Sequence, residues 1–161
     1  MKSKYINLNL YLNEIKGPIG VDSIVDCLFV NMLASVMAMK KWVDRLCKEE
    51  NISGPQYNIL RTLQFHNGKA NVNELREGML SESSAMTRLI GKLSKAGFVK
   101  RSRGKRDRRI VNITITREGE LCATKLTAKI SSTLEPRLSH LEQNEIEQLI
   151  CLLVKTRQFL T

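Results

Sequence analysis

The spacing of apolar residues changes at Gly97, and this change limits the folds that the chain can adopt. Before Gly97 they recur at intervals of three and four, which predicts one face of a helix. This helical set is Met86, Leu89, Ile90 and Leu93. After Gly97 they recur at every second position, which predicts one face of a strand. This second set is Val111, Ile113 and Ile115. A helix is therefore followed directly by β structure, with Gly97 as the left-handed residue that ends the helix.

The segment after Gly97 predicts a β-hairpin with a cationic loop. Residues 98–101 and 110–116 are the expected strands, and the letters SRGKRDR form the loop between them. Seven of the ten residues 100–109 are Lys or Arg. A run of like charges is usually disordered because the charges repel one another. Here two β-rich segments flank the run, so we expect the hairpin to hold the cations in place.

The remaining segments predict helices. Ser53 with Gln56 and Asn71 with Glu74 each have the spacing of a capping box, which marks a helix start. We expect helices over residues 21–48, 53–65, 71–79, 81–97, 117–133 and 142–160, with Pro136 as the interruption between the last two. There is no alternation of strands and helices and no repeat. The expected fold is mainly α with a small antiparallel β-hairpin wing, a winged helix-turn-helix.

The two ends of the chain predict an interface between subunits. Residues 24–39 are apolar on nearly every side, which in a soluble protein indicates burial against more than one neighbour. The expected organisation has four parts. They are an N-terminal arm (1–20), a dimerisation helix (21–52), a winged helix-turn-helix DNA-binding domain (53–117) and C-terminal dimerisation helices (118–161).

The net charge of +10 and a pI near 9.7 favour a polyanionic partner, either nucleic acid or an anionic membrane surface. The apolar run at 24–39 contains Asp26 and Asn31 and is shorter than the roughly 20 residues that a bilayer span needs. No cleavable leader is recognisable at the start. We therefore expect a cytoplasmic protein that does not use a membrane.

The sequence carries no signal for an enzyme. It has no Gly-rich phosphate loop, no nucleophile elbow and no zinc-protease motif, so we expect neither catalysis nor a cofactor. His66 and His140 are isolated, and no metal site is expected. The four cysteines lack C-x-x-C spacing and are expected to be reduced thiols.

The helix before the hairpin is the expected DNA-reading element. In a winged helix-turn-helix the second helix of the pair enters the major groove, and short hydroxyls and Arg are suited to base edges and phosphates. The candidates on this helix, over residues 82–96, are Ser83, Ser84, Thr87, Arg88 and Lys92. The same residues would also suit the solvent-exposed face of any surface helix.

The wing, over residues 99–116, is expected to place cations beside the reading helix, where a narrow minor groove attracts arginine. The candidates are Arg101, Arg103, Lys105, Arg106, Arg108 and Arg109. Asp107 is the one acid among them. We expect its carboxylate to pair with Arg109, or with Arg101 or Arg103 across the hairpin, and so to orient the arginines.

Three stretches resemble the multiple antibiotic resistance regulator (MarR) family. DRRIVNITITREG resembles its wing, ESSAMTRLIGKLSKAGFVKR its recognition helix and first wing strand, and SGPQYNILRTL its second helix. The resemblance covers roughly residues 24–160. It implies a homodimer with two winged-helix lobes on a palindrome. It also implies a repressor that is relieved by small phenolic or lipophilic ligands, metal ions or cysteine oxidation.

Three interpretations stay open at the level of the sequence. The first is a sequence-specific dimeric regulator bound to double-stranded DNA. The second is an architectural or RNA-binding module without sequence preference. The third is a regulator that senses oxidants through Cys27, which lies near the reactive cysteine of oxidation-sensing relatives but about two residues out of register. A thiol on an apolar helix face is more often inert packing.

Overall fold

The computed structural model of the protein describes residues 23–79, 85–103 and 110–158. Those residues form six helices and three strands. In chain order they are α1 (Ile24–Glu49), α2 (Gly54–Phe65), β1 (Lys69–Asn71), α3 (Val72–Glu77), α4 (Met86–Lys95), β2 (Val99–Arg103), β3 (Val111–Ile115), α5 (Arg117–Leu138) and α6 (Gln143–Gln158). The predicted N-terminal arm, 1–20, lies outside the described residues.

Side chains in the sequence determine where α2 and α3 begin. The side-chain carbonyl of Gln56 accepts a hydrogen bond from the Ser53 backbone N–H at 3.0 Å. Asn71 caps α3 in the same way: its Oδ1 accepts from the Glu74 N–H at 3.1 Å, and the Glu74 carboxylate accepts from the Asn71 N–H at 2.6 Å. Both predicted capping boxes are confirmed. Each pairs backbone donors that a helix start otherwise leaves without partners.

The predicted hairpin is confirmed, and a third strand joins it. The strands pair in the order β1-β3-β2, all antiparallel, so that β3 lies at the centre. The first wing strand extends two residues beyond its predicted end, to Arg103. Strand β1 was not predicted, because three residues show no period of their own. It becomes a strand through pairing with β3, where Ala70 faces Ile113.

One core joins the middle helices to the sheet. Side chains of α2, α3, α4, β3 and α5 are fully enclosed there, and they include Ile59, Leu60, Leu63, Leu75, Ile90, Leu93, Ile113 and Leu126. Gly97 has a φ of +81° two residues after the last residue of α4, which confirms it as the left-handed residue that ends the helix. Helices α3 and α4 followed by the β2–β3 hairpin give the winged helix-turn-helix that the period change predicts.

The predicted interruption at Pro136 was wrong, because α5 continues through this residue to Leu138. Proline removes one backbone donor and crowds the carbonyl four residues earlier, which here belongs to Ser132. Pro136 is exposed, and α5 ends two residues after it. The proline therefore weakens the last turn of α5 but does not end the helix before that turn.

The terminal helices keep their apolar side chains largely outside this core. Of α1, only Cys27, Leu46 and Cys47 are buried, and α6 has no buried residue. The described part of the chain has no helix that is long and apolar enough to cross a membrane.

Candidate nucleic-acid interface

Helix α4 is held by one face and exposed on the other. Met86, Ile90 and Leu93 are at most 1% exposed and attach the helix to the core. The opposite side carries the three described recognition-helix candidates, Thr87, Arg88 and Lys92, all of them exposed. Exposed Lys95 lies beyond Arg88 and Gly91 on this side, and it was not predicted as a site residue. The sequence signal that could have identified Lys95 is its position seven residues after Arg88, which places both on one face of a helix.

Seven predicted site residues lie outside the described residues. They are Ser83 and Ser84, which precede α4 in the sequence, and Lys105, Arg106, Asp107, Arg108 and Arg109, which come between β2 and β3. The pairing expected of Asp107 belongs to the same segment. These assignments stay predictions.

The strand register determines which way the described wing arginines face. Residues that are directly opposite in an antiparallel pair share one side of the sheet. Arg101 is opposite buried Ile113, and Arg103 is opposite half-buried Val111, so both arginines lie on the side of the sheet that packs on the helices. Lys100 is opposite Thr114 and therefore lies on the other side. The basic strand is thus divided between two faces.

A groove of about 460 Å³ brings the reading helix and the wing together. Thr87 of α4 and Arg101 of β2 both line it, with Ile90 and Val111 among its apolar lining residues. Asn73, exposed in the first turn of α3, also lines the groove and was not predicted as a site residue. Only the folded chain places this asparagine beside residues that lie 14 and 28 positions later in the sequence.

The base of the hairpin is joined rigidly to α4 and α5 through Thr116. Its hydroxyl donates to the carbonyl of Gly97 at 2.7 Å and accepts from the Gly119 N–H at 3.1 Å. Gly119 approaches the Phe98 carbonyl so closely that a Cβ there would collide with it. Thr116 and Gly119, both in the stretch that resembles the MarR wing, therefore hold the wing against the end of α4.

The cations of this surface have no ion-pair partner among the described acids. Two ion pairs, Lys125 with Glu50 at 2.7 Å and Lys129 with Glu49, join α5 to the end of α1. Arg88, Lys92, Arg101 and Arg103 take part in neither. No acid among the described residues therefore neutralises their charge, which suits contact with an anion such as a phosphate.

Three of the four thiols are buried. Cys27 is 4% exposed, and the side-chain amide of Asn31 donates to its backbone carbonyl at 2.9 Å and lies 3.5 Å from its sulfur. Burial, reinforced by the Asp44 charge, raises the pKa of Cys47 to about 11. Burial and the Glu50 charge raise the pKa of Cys122 as well. Cys47 and Cys122 are therefore poor nucleophiles, since the thiolate is the reactive form.

The described residues contain no group of three or more His, Cys, Asp and Glu side chains that could hold a metal ion. The imidazoles of His66 and His140 lie in different parts of the fold, at the end of α2 and after α5.

Comparison with known proteins gives a consistent picture. The model of the MarR family matches residues 52–111. The HTH-type transcriptional repressor MdtR of Bacillus subtilis is 25% identical over 111 residues, which are 69% of this chain and 71% of MdtR. The HTH-type transcriptional regulator SarZ of Staphylococcus aureus is 30% identical over 103 residues, 64% of this chain and 68% of SarZ.

A solved structure resembles a larger share of the chain. The organohalide-sensing RdhR transcriptional regulator, in its 2,4-dichlorophenol-bound form, superposes with a TM-score of 0.79. The match covers 91% of this chain and 88% of RdhR at 16% identity. At that identity the likeness concerns the fold alone.

Proposed function

Because the chain belongs to the MarR family of DNA-binding transcriptional regulators, we propose that it acts in the cytoplasm as a homodimeric repressor of a palindromic operator. Helix α4 reads bases in the major groove, and the hairpin lies along the neighbouring backbone or minor groove. Its role is binding alone, with no catalytic step and no cofactor.

The observation that carries this proposal is the shared exposure of Thr87, Arg88 and Lys92 on a helix whose other face is fully buried. A helix held in this way presents its polar side chains at fixed positions, as base recognition needs. Arg101 enters the same groove from the wing. Hydroxyl, guanidinium and ammonium groups therefore converge on one surface without an opposing carboxylate among the described residues.

The dimer is supported by the apolar faces of α1 and α6. Phe29 is 65% exposed and Leu152 is 60% exposed, and each has apolar neighbours on the same helix. Contiguous exposed apolar surface of this kind marks an interface. A second copy of the chain buries both faces and places two reading helices on successive turns of the duplex, about 34 Å apart.

Relief by a small ligand has a candidate site at the junction of α1 and α2. A groove of about 1020 Å³ there is lined by apolar and charged side chains, namely Met37, Ile52, Lys40, Lys41, Arg45, Lys48 and Asp44. The Asp44 carboxylate already accepts a hydrogen bond from the Gly54 N–H at 2.9 Å, and four cations outnumber it. This lining fits an anionic amphipathic molecule such as a phenolate. The dichlorophenol-bound form of RdhR, which has the same fold, supports a phenolic or lipophilic ligand for this chain.

Selection of binding sites from random duplex DNA, followed by affinity measurements over a range of salt, tests the proposal. We expect an inverted repeat, with a log-log salt slope of about −0.9 for each phosphate neutralised. Replacing Arg88 by Ala should weaken selected DNA by about 1–3 kcal/mol if its guanidinium is bidentate to a guanine, and random DNA much less. Arg61→Ala, the same loss of charge on α2, serves as the control.

Two results would contradict parts of this proposal. If Arg88→Ala lowered the affinity for selected and for random duplexes equally, Arg88 would have no base-reading role. Equal affinity of the unmodified protein for both duplexes, with no selected site, would favour the architectural or RNA-binding module instead.

The predicted orienting role of Asp107 needs its own variant. Asp107→Lys adds two units of positive charge at the wing tip, and charge alone would strengthen DNA binding. We expect weaker binding, because the arginines lose the carboxylate that directs them. Tighter binding at equal salt would contradict this role.

A further inference from the structure

At five of the six glycines in the described residues, the backbone conformation or a close neighbour explains why glycine is needed. Gly68 and Gly97 have φ of +87° and +81°, in the left-handed region that favours glycine. The other three have no room for a side chain, because a Cβ would lie within 3 Å of a neighbouring atom: Gly54, Gly78 and Gly119. Gly91 is the sixth. It is helical, and a Cβ at this position would have no atom within 4 Å.

Glycine is a costly choice at this position. Gly91 is the sixth of the ten residues of α4, so it lies in the interior of the helix. Glycine there loses more backbone entropy on folding than alanine, which lowers the folding equilibrium constant about two- to fivefold. Since no other part of the described chain approaches Gly91, packing among the described residues does not require this cost.

The open space at Gly91 lies on the face that the candidate DNA contacts share. Thr87, Gly91 and Lys95 follow one another at intervals of four, and Arg88 is three residues before Gly91. The side chains of Thr87, Arg88 and Lys95 are all exposed. The one position without a side chain is therefore surrounded by those expected to touch nucleic acid.

We propose that duplex DNA comes into van der Waals contact with the main chain of α4 at Gly91. This inference rests on the proposed role of α4 as the reading helix. Glycine is the residue that permits close approach of a backbone to a ligand. A methyl group at this position would keep the helix away from the groove and draw Thr87 and Arg88 back from the base edges. Gly91 is thus a determinant of operator affinity that makes no polar contact.

The test is Gly91→Ala in the full-length protein. We expect the melting temperature at fixed protein concentration to rise by about 1–4 °C, because the helix gains an alanine in open space. We expect affinity for a duplex selected with the unmodified protein to fall about 5- to 150-fold, the usual range for overpacking a close contact. A variant that folds better and binds worse is a combination that a merely structural role cannot produce. Gly91→Ser, which adds one more atom, should bind more weakly still.

Two further variants separate this inference from the function on which it rests. Asn58→Ala raises the helix propensity of α2 outside the interface and should raise the melting temperature without loss of affinity. If Gly91→Ala binds as the unmodified protein does while Arg88→Ala loses selected DNA, the close approach is wrong and the reading helix stands. If neither variant weakens binding, α4 is not the reading helix. A lower melting temperature for Gly91→Ala would also overturn the inference, because a neighbour would then require the glycine.

Discussion

The winged-helix lobe and the terminal helices are both rich in apolar residues, yet they differ in what those residues contact. In α2, Ile59, Leu60 and Leu63 are fully buried. In α6, Ile150 and Leu152 are 55% and 60% exposed, and no residue is buried. The lobe thus has a core of its own, whereas the terminal helices expose apolar side chains of the same kind to solvent.

Helix α1 has buried apolar side chains at one end and exposed apolar side chains at the other. Its C-terminal turns contribute Leu46 and Cys47 to the lobe core, and Asp44 accepts a hydrogen bond from the Gly54 N–H at 2.9 Å. Its N-terminal half exposes Val25 and Phe29 by about two thirds. Since exposed apolar surface costs free energy in water, this half needs a partner that the lobe does not supply. The difference separates what one chain stabilises from what two chains are proposed to stabilise.

The largest effect is expected in the lobe core, from Leu63→Ala. Leu63 is fully buried, so the change removes apolar contacts and leaves a cavity, and the free energy of unfolding should fall by about 2–5 kcal/mol. Urea denaturation followed by circular dichroism measures this. Phe65→Ala is the matched control, because Phe65 is on the same helix and 84% exposed, and it should change the free energy by less than about 0.5 kcal/mol. If both variants lowered the free energy of unfolding by similar amounts, the proposed difference between core and surface would be wrong.

An intermediate effect is expected in α6, from Leu152→Asp. In the proposed dimer this position is buried between two subunits, where a carboxylate is left without a partner, so the dimer dissociation constant should rise at least about 30-fold. Analytical ultracentrifugation measures the change, and operator affinity should fall with it. Asn144→Asp, at the start of α6, adds the same charge and should leave the dimer intact. A dimer that is unaffected by Leu152→Asp would place the subunit contact elsewhere.

The smallest effect concerns thiol reactivity, which compares the two regions directly. With its pKa near 11, Cys47 is only about one part in a thousand thiolate at pH 8, and it should not react with a disulfide reagent in the folded protein. Cys151 is exposed on α6. We expect its labelling to be slow in the dimer and fast in the Leu152→Asp variant. Equally fast labelling in both would mean that α6 stays uncovered at Cys151.

Local signals in the sequence determined most of the element boundaries. The capping boxes at Ser53 and Asn71 and the left-handed Gly97 act within a few residues, so their effect can be predicted without knowing the rest of the chain. The change of period at Gly97 predicted the hairpin for the same reason. The exposed polar face of α4 was also predictable from its spacing, because burial of one helix face leaves the opposite face outside.

Contacts between distant residues decided the rest. Strand β1 exists because Ala70 pairs with Ile113, 43 positions later, and a three-residue segment has no signal of its own. The pairing of Arg101 with Ile113 turned this arginine towards the reading helix, and the fold brought Asn73 into the same groove. The sequence by itself determined the helices, the hairpin and the excess of positive charge, because these depend on short-range backbone chemistry and composition. Only the tertiary structure decided which cations share a surface and which apolar faces stay uncovered, because both depend on how elements far apart in the chain pack together.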